Sequence, residues 1–223
     1  MGHAVGQILS HAVGVTISPL TLIAMILILT APGGRSNAFA FAVGWIVAVS
    51  GIFTVLMALS IITGAEHNGH PGTWVAWFRL IVGLLLALMT FRQVRMLGNA
   101  NEGTLPKRFQ NIEQFNIGNS LALGAMLVVA NPKNVTQIAA GAVTTASATA
   151  HPGGRISAAL IFVAIASLGV LVPAAVHFAR REASWDILNR WEDWTVRHHY
   201  AIMAVLFALL SAKSLGDGIS GLT

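Results

Sequence analysis

The chain has 223 residues, of which 55% are hydrophobic and only 9% are charged. A soluble domain carries roughly 25% charged residues, so this composition indicates an integral membrane protein rather than a soluble one. The sequence contains no cysteine, which excludes disulfides, thiol redox chemistry and cysteine metal sites.

The hydropathy pattern predicts an all-α, polytopic membrane protein with six transmembrane helices. Each apolar segment is near the roughly 20 residues that a bilayer core requires. The N-terminal sequence lacks the positive region of a cleavable signal peptide, so we expect the first segment to stay in the protein. The predicted spans are approximately 5–30, 38–62, 74–95, 118–146, 156–179 and 200–219.

Two of these spans contain a proline in their interior. Span 1 is interrupted at Ser18-Pro19, and span 4 is interrupted at Asn131-Pro132-Lys133-Asn134. A proline inside a helix removes one backbone hydrogen bond, and in hydrocarbon the freed carbonyl needs another partner. Paired interruptions in two halves of a chain point to the central site of a transporter. The sequence therefore predicts that helices 1 and 4 are broken at a binding site.

The two halves also share a tetrapeptide. Pro32-Gly33-Gly34-Arg35 follows span 1, and Pro152-Gly153-Gly154-Arg155 lies downstream of the break in span 4. Three spans per half is an odd number, so the second half must be inverted relative to the first, which is a transporter architecture. Related halves without a transport role remain the alternative. We predict a first three-helix repeat at 1–96, a cytoplasmic linker at 97–117 and a second three-helix repeat at 118–223.

The segment 182–199 differs from the spans, because it places tryptophans at helical spacing among arginines. Trp185, Trp191 and Trp194 lie along it together with Arg190 and Arg197. This pattern predicts an amphipathic helix lying in the membrane interface. An aromatic belt that extends the neighbouring spans is the other interpretation.

The basic residues predict the orientation of the chain in the membrane. Connections after spans 1, 3 and 5 lie on one side and hold nine of the 13 basic residues. The positive-inside rule then places these connections in the cytoplasm and both termini outside it. The net charge of +5 is explained in this way, so we expect no nucleic-acid partner. The nine residues are Arg35, Arg92, Arg95, Lys107, Arg108, Arg180, Arg181, Arg190 and Arg197.

Lys133 is the most unusual residue, because it lies about midway along span 4. An ammonium there costs about 2.5–3.5 kcal/mol even on the lenient insertion scale, so it must face water, a partner or the bundle interior. Asparagines beside it and Ser18 on span 1 supply hydrogen-bonding groups, which suits an anionic or polar head group. The alternative is a structural ion pair between Lys133 and a carboxylate. The predicted substrate site comprises Ser18, Pro19, Asn131, Pro132, Lys133 and Asn134.

Asp217 is the only acid deep in the last apolar region. Lys213 lies four residues before it on the same helical face, so the two side chains can neutralise each other. A role for Asp217 as a protonatable coupling residue is the other interpretation. Arg79, near the start of span 3, is a further candidate partner for Asp217.

The sequence shows no motif that predicts catalysis. It has no nucleophile triad, no phosphate-binding glycine loop and no ATP motif. We therefore expect a protein that is not an enzyme, uses no cofactor and draws any energy from an ion gradient or a partner. His67 and His70 share an outer loop with Glu66, but this spacing does not predict a metal site.

Segments spread over nearly the whole chain match the motifs of one known family. They resemble the Sap/GAP family, the sulfolipid- and glycopeptidolipid-addressing proteins of the LysE transporter superfamily. The resemblance implies a six-span, inverted-repeat exporter of actinobacterial type that moves cell-envelope glycolipids across the plasma membrane. The matching segments are Ser18-Pro19-Leu20, Phe91-Arg92-Gln93, Asn131-Pro132-Lys133-Asn134, Leu168-Gly169-Val170-Leu171-Val172-Pro173, Ile202-Met203-Ala204-Val205 and Lys213-Ser214-Leu215-Gly216-Asp217-Gly218.

These observations predict a multi-pass plasma-membrane protein that exports, or helps to export, a lipid or other anionic or polar amphiphile. In this hypothesis Lys133 binds an anionic group, and its neighbours supply hydrogen bonds. Two alternatives stay open: an exporter of a small solute such as an amino acid or cation, as in the LysE type, and a non-transporting adaptor of a lipid-export complex. A lipid-export machine as partner and a homo-oligomer also stay open.

Overall fold

The computed structural model describes residues 2–64, 66–67, 70–71, 73–97, 115–148, 151–180 and 184–222. Within these ranges the chain is almost entirely helical, as the sequence predicts, with a single short hairpin. The elements in chain order are α1 (Gly2–Thr16), α2 (Pro19–Thr30), α3 (Gly34–Ile62), β1 (Glu66–His67), β2 (His70–Pro71), α4 (Thr73–Leu97), α5 (Ile117–Val129), α6 (Pro132–Ala148), α7 (Pro152–Ala166), α8 (Leu168–Arg180) and α9 (Ser184–Ser220).

The described helices form a multi-pass membrane protein. By length and composition, α3, α4 and α9 can each cross a bilayer alone, and the bent pairs α1–α2 and α7–α8 bring the number of candidate spans to five. The predicted fourth span corresponds to α5, an apolar helix of 13 residues, followed by α6, whose buried residues include Lys133 and Gln137. The predicted fourth span, and with it the total of six, therefore stays a prediction.

The predicted fifth span is divided at Ser167, where α7 and α8 meet at a bend of 55°. No proline causes this break, since Pro173 lies inside α8 without ending it. Side chains from other helices hold the carbonyls before the break. The Thr16 hydroxyl donates to the Ile165 carbonyl, and the Trp45 indole N–H donates to the Ala166 carbonyl at 3.3 Å.

The segment 182–199 is not a separate helix in the structure. From Ser184 onward it forms the first turns of α9, a continuous helix of 37 residues. Leu188 is fully buried there, whereas Trp185, Trp191 and Trp194 are exposed. The helical pattern is thus correct and the separate helix is wrong, because nothing in this sequence interrupts the backbone before the last apolar region. A position in the membrane interface stays a prediction.

The two shared tetrapeptides adopt different local structures. Gly33 has a φ of 73° and stands before α3 as its N-cap, a conformation that favours glycine. Pro152, in contrast, occupies the first turn of α7, where its missing N–H costs nothing. The sequence match between the two segments is therefore not a match of conformation.

The main hydrophobic core lies between α1, α2, α3 and α5 to α8, with Leu188 of α9 at its edge. Glycines allow α3 and α5 to approach until backbone meets backbone. A Cβ on Gly44 would collide with the Leu121 carbonyl, and one on Gly124 would collide with the Phe41 carbonyl. Because lipid is as apolar as leucine, such small-residue contacts stabilise helix pairs in membranes better than bulk apolar surface does.

α4 and α9 form a second, smaller core of their own, which we call the α4–α9 arm. Its buried residues include Val82, Leu86 and Phe207. The Ser211 hydroxyl donates to the Gly83 carbonyl at 2.8 Å and fixes the two helices side by side. The two helices of the α4–α9 arm therefore pack directly against each other.

Several sequence predictions fall outside what the structure describes. Most of the predicted linker 97–117, including Lys107 and Arg108, lies there. The antiparallel pair β1–β2 lies in the loop between α3 and α4, but the side chains of Glu66, His67 and His70 are likewise outside the described part. The metal question in that loop is thus untested.

Candidate functional site

The break between α1 and α2 frees backbone carbonyls inside the bundle. Pro19 begins α2 and has no N–H to donate back into α1. The Ser18 N–H, which would reach Gly14 in a continuous helix, donates to Thr16 instead, and the Thr21 N–H donates to Ser18 rather than to Ile17. The Gly14 and Ile17 carbonyls are therefore left without helical partners.

The break between α5 and α6 is built by the asparagine–proline–lysine–asparagine motif. Pro132 starts α6, and the Asn131 side chain accepts from the Lys133 backbone N–H at 3.2 Å, as an N-cap does. The Asn134 amide donates to the Leu127 carbonyl at 3.1 Å, which satisfies the end of α5. Both asparagines thus shape the break itself.

Lys133 joins the two breaks. Its ammonium donates to the Gly14 carbonyl and to the Ile17 carbonyl, each at 2.7 Å, and its side chain is only 1% exposed. Hydrogen bonds to a charged group contribute roughly 1.5–3 kcal/mol each, and a cation at a helix C-terminus also meets the negative end of the helix dipole. Lys133 is therefore the cap of the broken helix α1.

In the part of the chain that the structure describes, no carboxylate forms an ion pair with Lys133. Asp217 accepts from Lys213 at 2.6 Å on the same helix, as the four-residue spacing suggested. Arg79 donates to the Thr144 hydroxyl at 3.5 Å, and the described part of the chain shows no Arg79–Asp217 ion pair. Instead of an acid, Lys133 binds backbone carbonyls that the break before Pro19 leaves open.

Ser18 lies at the same junction but bonds locally. It is 5% exposed, and its hydroxyl accepts from the Thr21 hydroxyl at 2.9 Å. The predicted site residues Ser18, Pro19, Asn131, Pro132, Lys133 and Asn134 are thus brought to the two breaks, whereas Arg79, Lys213 and Asp217 lie apart from them on α4 and α9.

Sequence reasoning missed a second buried polar contact beside Lys133. His11 of α1 bonds through Nδ1 to the Gln137 side-chain oxygen at 2.9 Å, and both residues are buried. Gln137 lies four residues after Lys133 on α6, so the two side chains lie on the same face of that helix. This spacing was the sequence signal that could have revealed the contact. Polar contacts therefore line two consecutive turns of the α1–α6 interface.

A cavity of about 370 Å³ opens beside the α5–α6 break, between the main bundle and the α4–α9 arm. Asn131, Pro132, Lys133 and Leu20 line one side of it, whereas Ser18, Pro19 and Asn134 do not line it. Its remaining walls come from the end of α4 and the middle of α9. The polar side chains on these walls are Arg92, Gln93, His199 and Tyr200, and the apolar ones include Met89, Met96, Met203 and Phe207.

Broken apolar helices that meet at a buried lysine, beside a cavity with polar and apolar walls, define a polytopic membrane protein with a discontinuous-helix site. The family described as Sap, sulfolipid-1-addressing protein, matches residues 8–220. The chain therefore belongs to that family, and its resemblance to the family is confirmed. The family description connects the chain with the addressing of a lipid. No curated protein and no solved structure matched it.

Proposed function

We propose that this protein exports, or assists the export of, a cell-envelope glycolipid or another anionic or polar amphiphile across the plasma membrane. The cavity beside the α5–α6 break carries this proposal. Its volume of about 370 Å³ lies at the lower end of the range for ligand sites. Polar groups and methionines line it together, and methionine adapts its shape to irregular apolar ligands.

The six-span inverted repeat is part of the proposal, and packing between the halves supports it. A Cβ on Gly83 would meet Leu215, and a Cβ on Gly218 would meet Leu80. Each glycine lies three residues after the leucine on its own helix, so the contact between α4 and α9 is reciprocal. A two-fold axis between the third and sixth spans produces such reciprocity.

Close approaches elsewhere join other pairs of spans. Gly44 in the second predicted span packs against a carbonyl of the fourth, at Leu121. Gly169 in the fifth predicted span packs against a carbonyl of the first, at Thr16. The two contacts join the pairs of spans that an inverted repeat would exchange, but they lie at different heights. Leu121 is 11 residues before Pro132, whereas Thr16 is three residues before Pro19.

The orientation of the chain makes the cavity a cytoplasmic entrance in this proposal. Arg92 and Met96 lie near the end of α4, on the side that carries most basic residues. A lipid from the cytoplasmic leaflet would enter there and move toward Asn131 and Lys133. To bind an anionic group, Lys133 would exchange the carbonyls of α1 for that group. Asp217, with Lys213 and Arg79 nearby, is the proposed coupling site.

A lipid-translocation assay tests the proposal. Proteoliposomes carry a fluorescent phosphatidylglycerol, and dithionite quenches the label only in the outer leaflet. The label from the inner leaflet should be quenched faster than in protein-free vesicles, because the protein moves the lipid outward. Met89→Trp, which fills the cavity, should return the rate to that of empty vesicles. Leu88→Trp is the matched control, because Leu88 is 55% exposed on the same helix. A wild-type rate equal to that of empty vesicles would contradict a carrier and favour the adaptor.

A further inference from the structure

Arg92 gives the cavity a cation that is available to a ligand. It is exposed on the last turns of α4 and lines the cavity wall. The ammonium of Lys133, in contrast, already donates to two carbonyls. Among the described residues no hydrogen bond or ion pair engages the guanidinium of Arg92. Since a guanidinium offers a planar set of donors that matches phosphate, sulfate or carboxylate, this wall of the cavity is suited to an anion.

Two buried polar atoms in the same cavity wall need a partner. Gln93 Oε1 and His199 Nδ1 are shielded from solvent, and neither has a hydrogen bond in the part of the chain that the structure describes. An amide oxygen only accepts, so the missing partner of Gln93 is a donor such as a hydroxyl. A buried polar atom without a partner is destabilising, and a ligand that satisfies it gains affinity.

From this arrangement we infer that Arg92, Gln93 and His199 form a head-group subsite for an anionic lipid that carries hydroxyl groups. The inference rests on the proposed function, because it takes the cavity as the place where the lipid enters. The anionic group contacts Arg92. Hydroxyls of the same head group bond Gln93 and His199 when these two side chains rotate and turn their shielded polar atoms toward the cavity that they line. Met89, Met203 and Phe207 contact the apolar part. While the head group occupies this subsite, Lys133 keeps its two carbonyl partners on α1.

Binding of three water-soluble, short-chain lipids to the purified protein in neutral detergent tests this subsite. Phosphatidylglycerol has the charge and the hydroxyls, phosphatidylmethanol has the charge alone, and phosphatidylcholine has no net charge. We expect phosphatidylglycerol to bind most tightly and phosphatidylcholine most weakly, as measured by calorimetry. Equal affinity for all three lipids would overturn the subsite.

The variants separate the two kinds of contact. Arg92→Gln should weaken phosphatidylglycerol binding about tenfold and leave phosphatidylcholine unchanged, whereas Arg92→Lys should keep most of the preference for charge. Gln93→Leu should abolish the difference between phosphatidylglycerol and phosphatidylmethanol. Arg95→Gln is the matched control, because Arg95 stacks on Phe91 at 4.5 Å and does not line the cavity. An equal loss of phosphatidylglycerol affinity in Arg92→Gln and Arg95→Gln would show a nonspecific attraction between basic residues and the anionic lipid, and would refute the subsite.

Thermal unfolding of each variant shows whether a loss of binding reflects misfolding, and Arg92→Lys keeps the test decisive if Arg92→Gln does not fold. The translocation assay separates the two proposals. Wild-type translocation that does not depend on Arg92 would refute the subsite alone. Binding that depends on Arg92, without wild-type translocation, would support the subsite and refute the carrier.

Discussion

The ammonium group of one lysine forms hydrogen bonds across the two halves of this molecule. Lys133 belongs to the second half, and the carbonyls of Gly14 and Ile17 that it caps belong to the first. The sequence revealed the lysine, since a charge in an apolar span is visible in the hydropathy pattern. Its partners were not predictable, because backbone carbonyls have no sequence signature and become available only where a helix is broken.

Replacement of this lysine tests its role as a cap. Lys133→Met should lower the free energy of unfolding by on the order of 3 kcal/mol, because two buried carbonyls lose a charged donor. Denaturant unfolding in detergent micelles would measure the change. Lys213→Met is the control and should cost about 0.5 kcal/mol, since the Lys213–Asp217 pair is partly exposed.

The double variant distinguishes the cap from an ion pair. Adding Asp217→Asn to Lys133→Met should restore no stability, because the carboxylate of Asp217 accepts from Lys213. Recovery of wild-type stability in the double variant would contradict the carbonyl cap and reinstate a Lys133–Asp217 interaction.

At the scale of helices, three breaks interrupt the apolar segments, and their origins differ. The breaks before Pro19 and Pro132 could be predicted, since proline lacks the N–H that a helix interior needs. The break at Ser167 could not be predicted. The carbonyls before it accept hydrogen bonds from Thr16 and Trp45, which come from other helices. Contacts from distant helices are not visible in the local sequence, so the local sequence does not predict a break at which they bind.

The reciprocal contact between α4 and α9 gives a prediction at this scale. Gly83→Ala and Gly218→Ala should destabilise the protein by similar amounts, about 1–3 kcal/mol each, because the new methyl group overlaps a leucine of the other helix. Thermal or denaturant unfolding in micelles would compare them.

Gly51→Ala is the matched control for these variants. No atom lies within 4 Å of a Cβ at Gly51, so the substitution should stabilise α3 by up to about 1 kcal/mol through helix propensity alone. Strongly unequal effects of Gly83→Ala and Gly218→Ala would contradict the two-fold relation.

At the scale of the whole molecule, composition alone predicted a helical membrane protein, and the structure confirms it. The cavity was not predictable, because its walls combine α4, the α5–α6 break and α9. In the sequence, Arg92 was a charge that sets orientation and part of a family-matching segment, and nothing placed it beside a cavity. Side chains from distant segments share a wall only once the fold has brought them together.

The orientation remains to be measured, and the absence of native cysteine makes the measurement simple. Single cysteines at residue 36 and residue 110 should react with a membrane-impermeant maleimide only after the cells are permeabilised. A cysteine at the exposed Thr63 should react in intact cells. These results follow from the positive-inside rule. Labelling of residue 110 from outside would reverse the orientation and turn the cavity toward the other face.

The distance along the chain between α1 and its cap has a consequence for biosynthesis. Lys133 lies 116 residues after Ile17, and ribosomes add roughly 5–20 residues per second. The carbonyls of Gly14 and Ile17 are therefore synthesised on the order of ten seconds before Lys133, which donates to them. The interval between the contacting residues of α4 and α9 is longer. Until Lys133 is made, the carbonyls of Gly14 and Ile17 need another donor, because an unsatisfied backbone group in hydrocarbon is destabilising. A chain that stops before Lys133 would lack the group that caps α1.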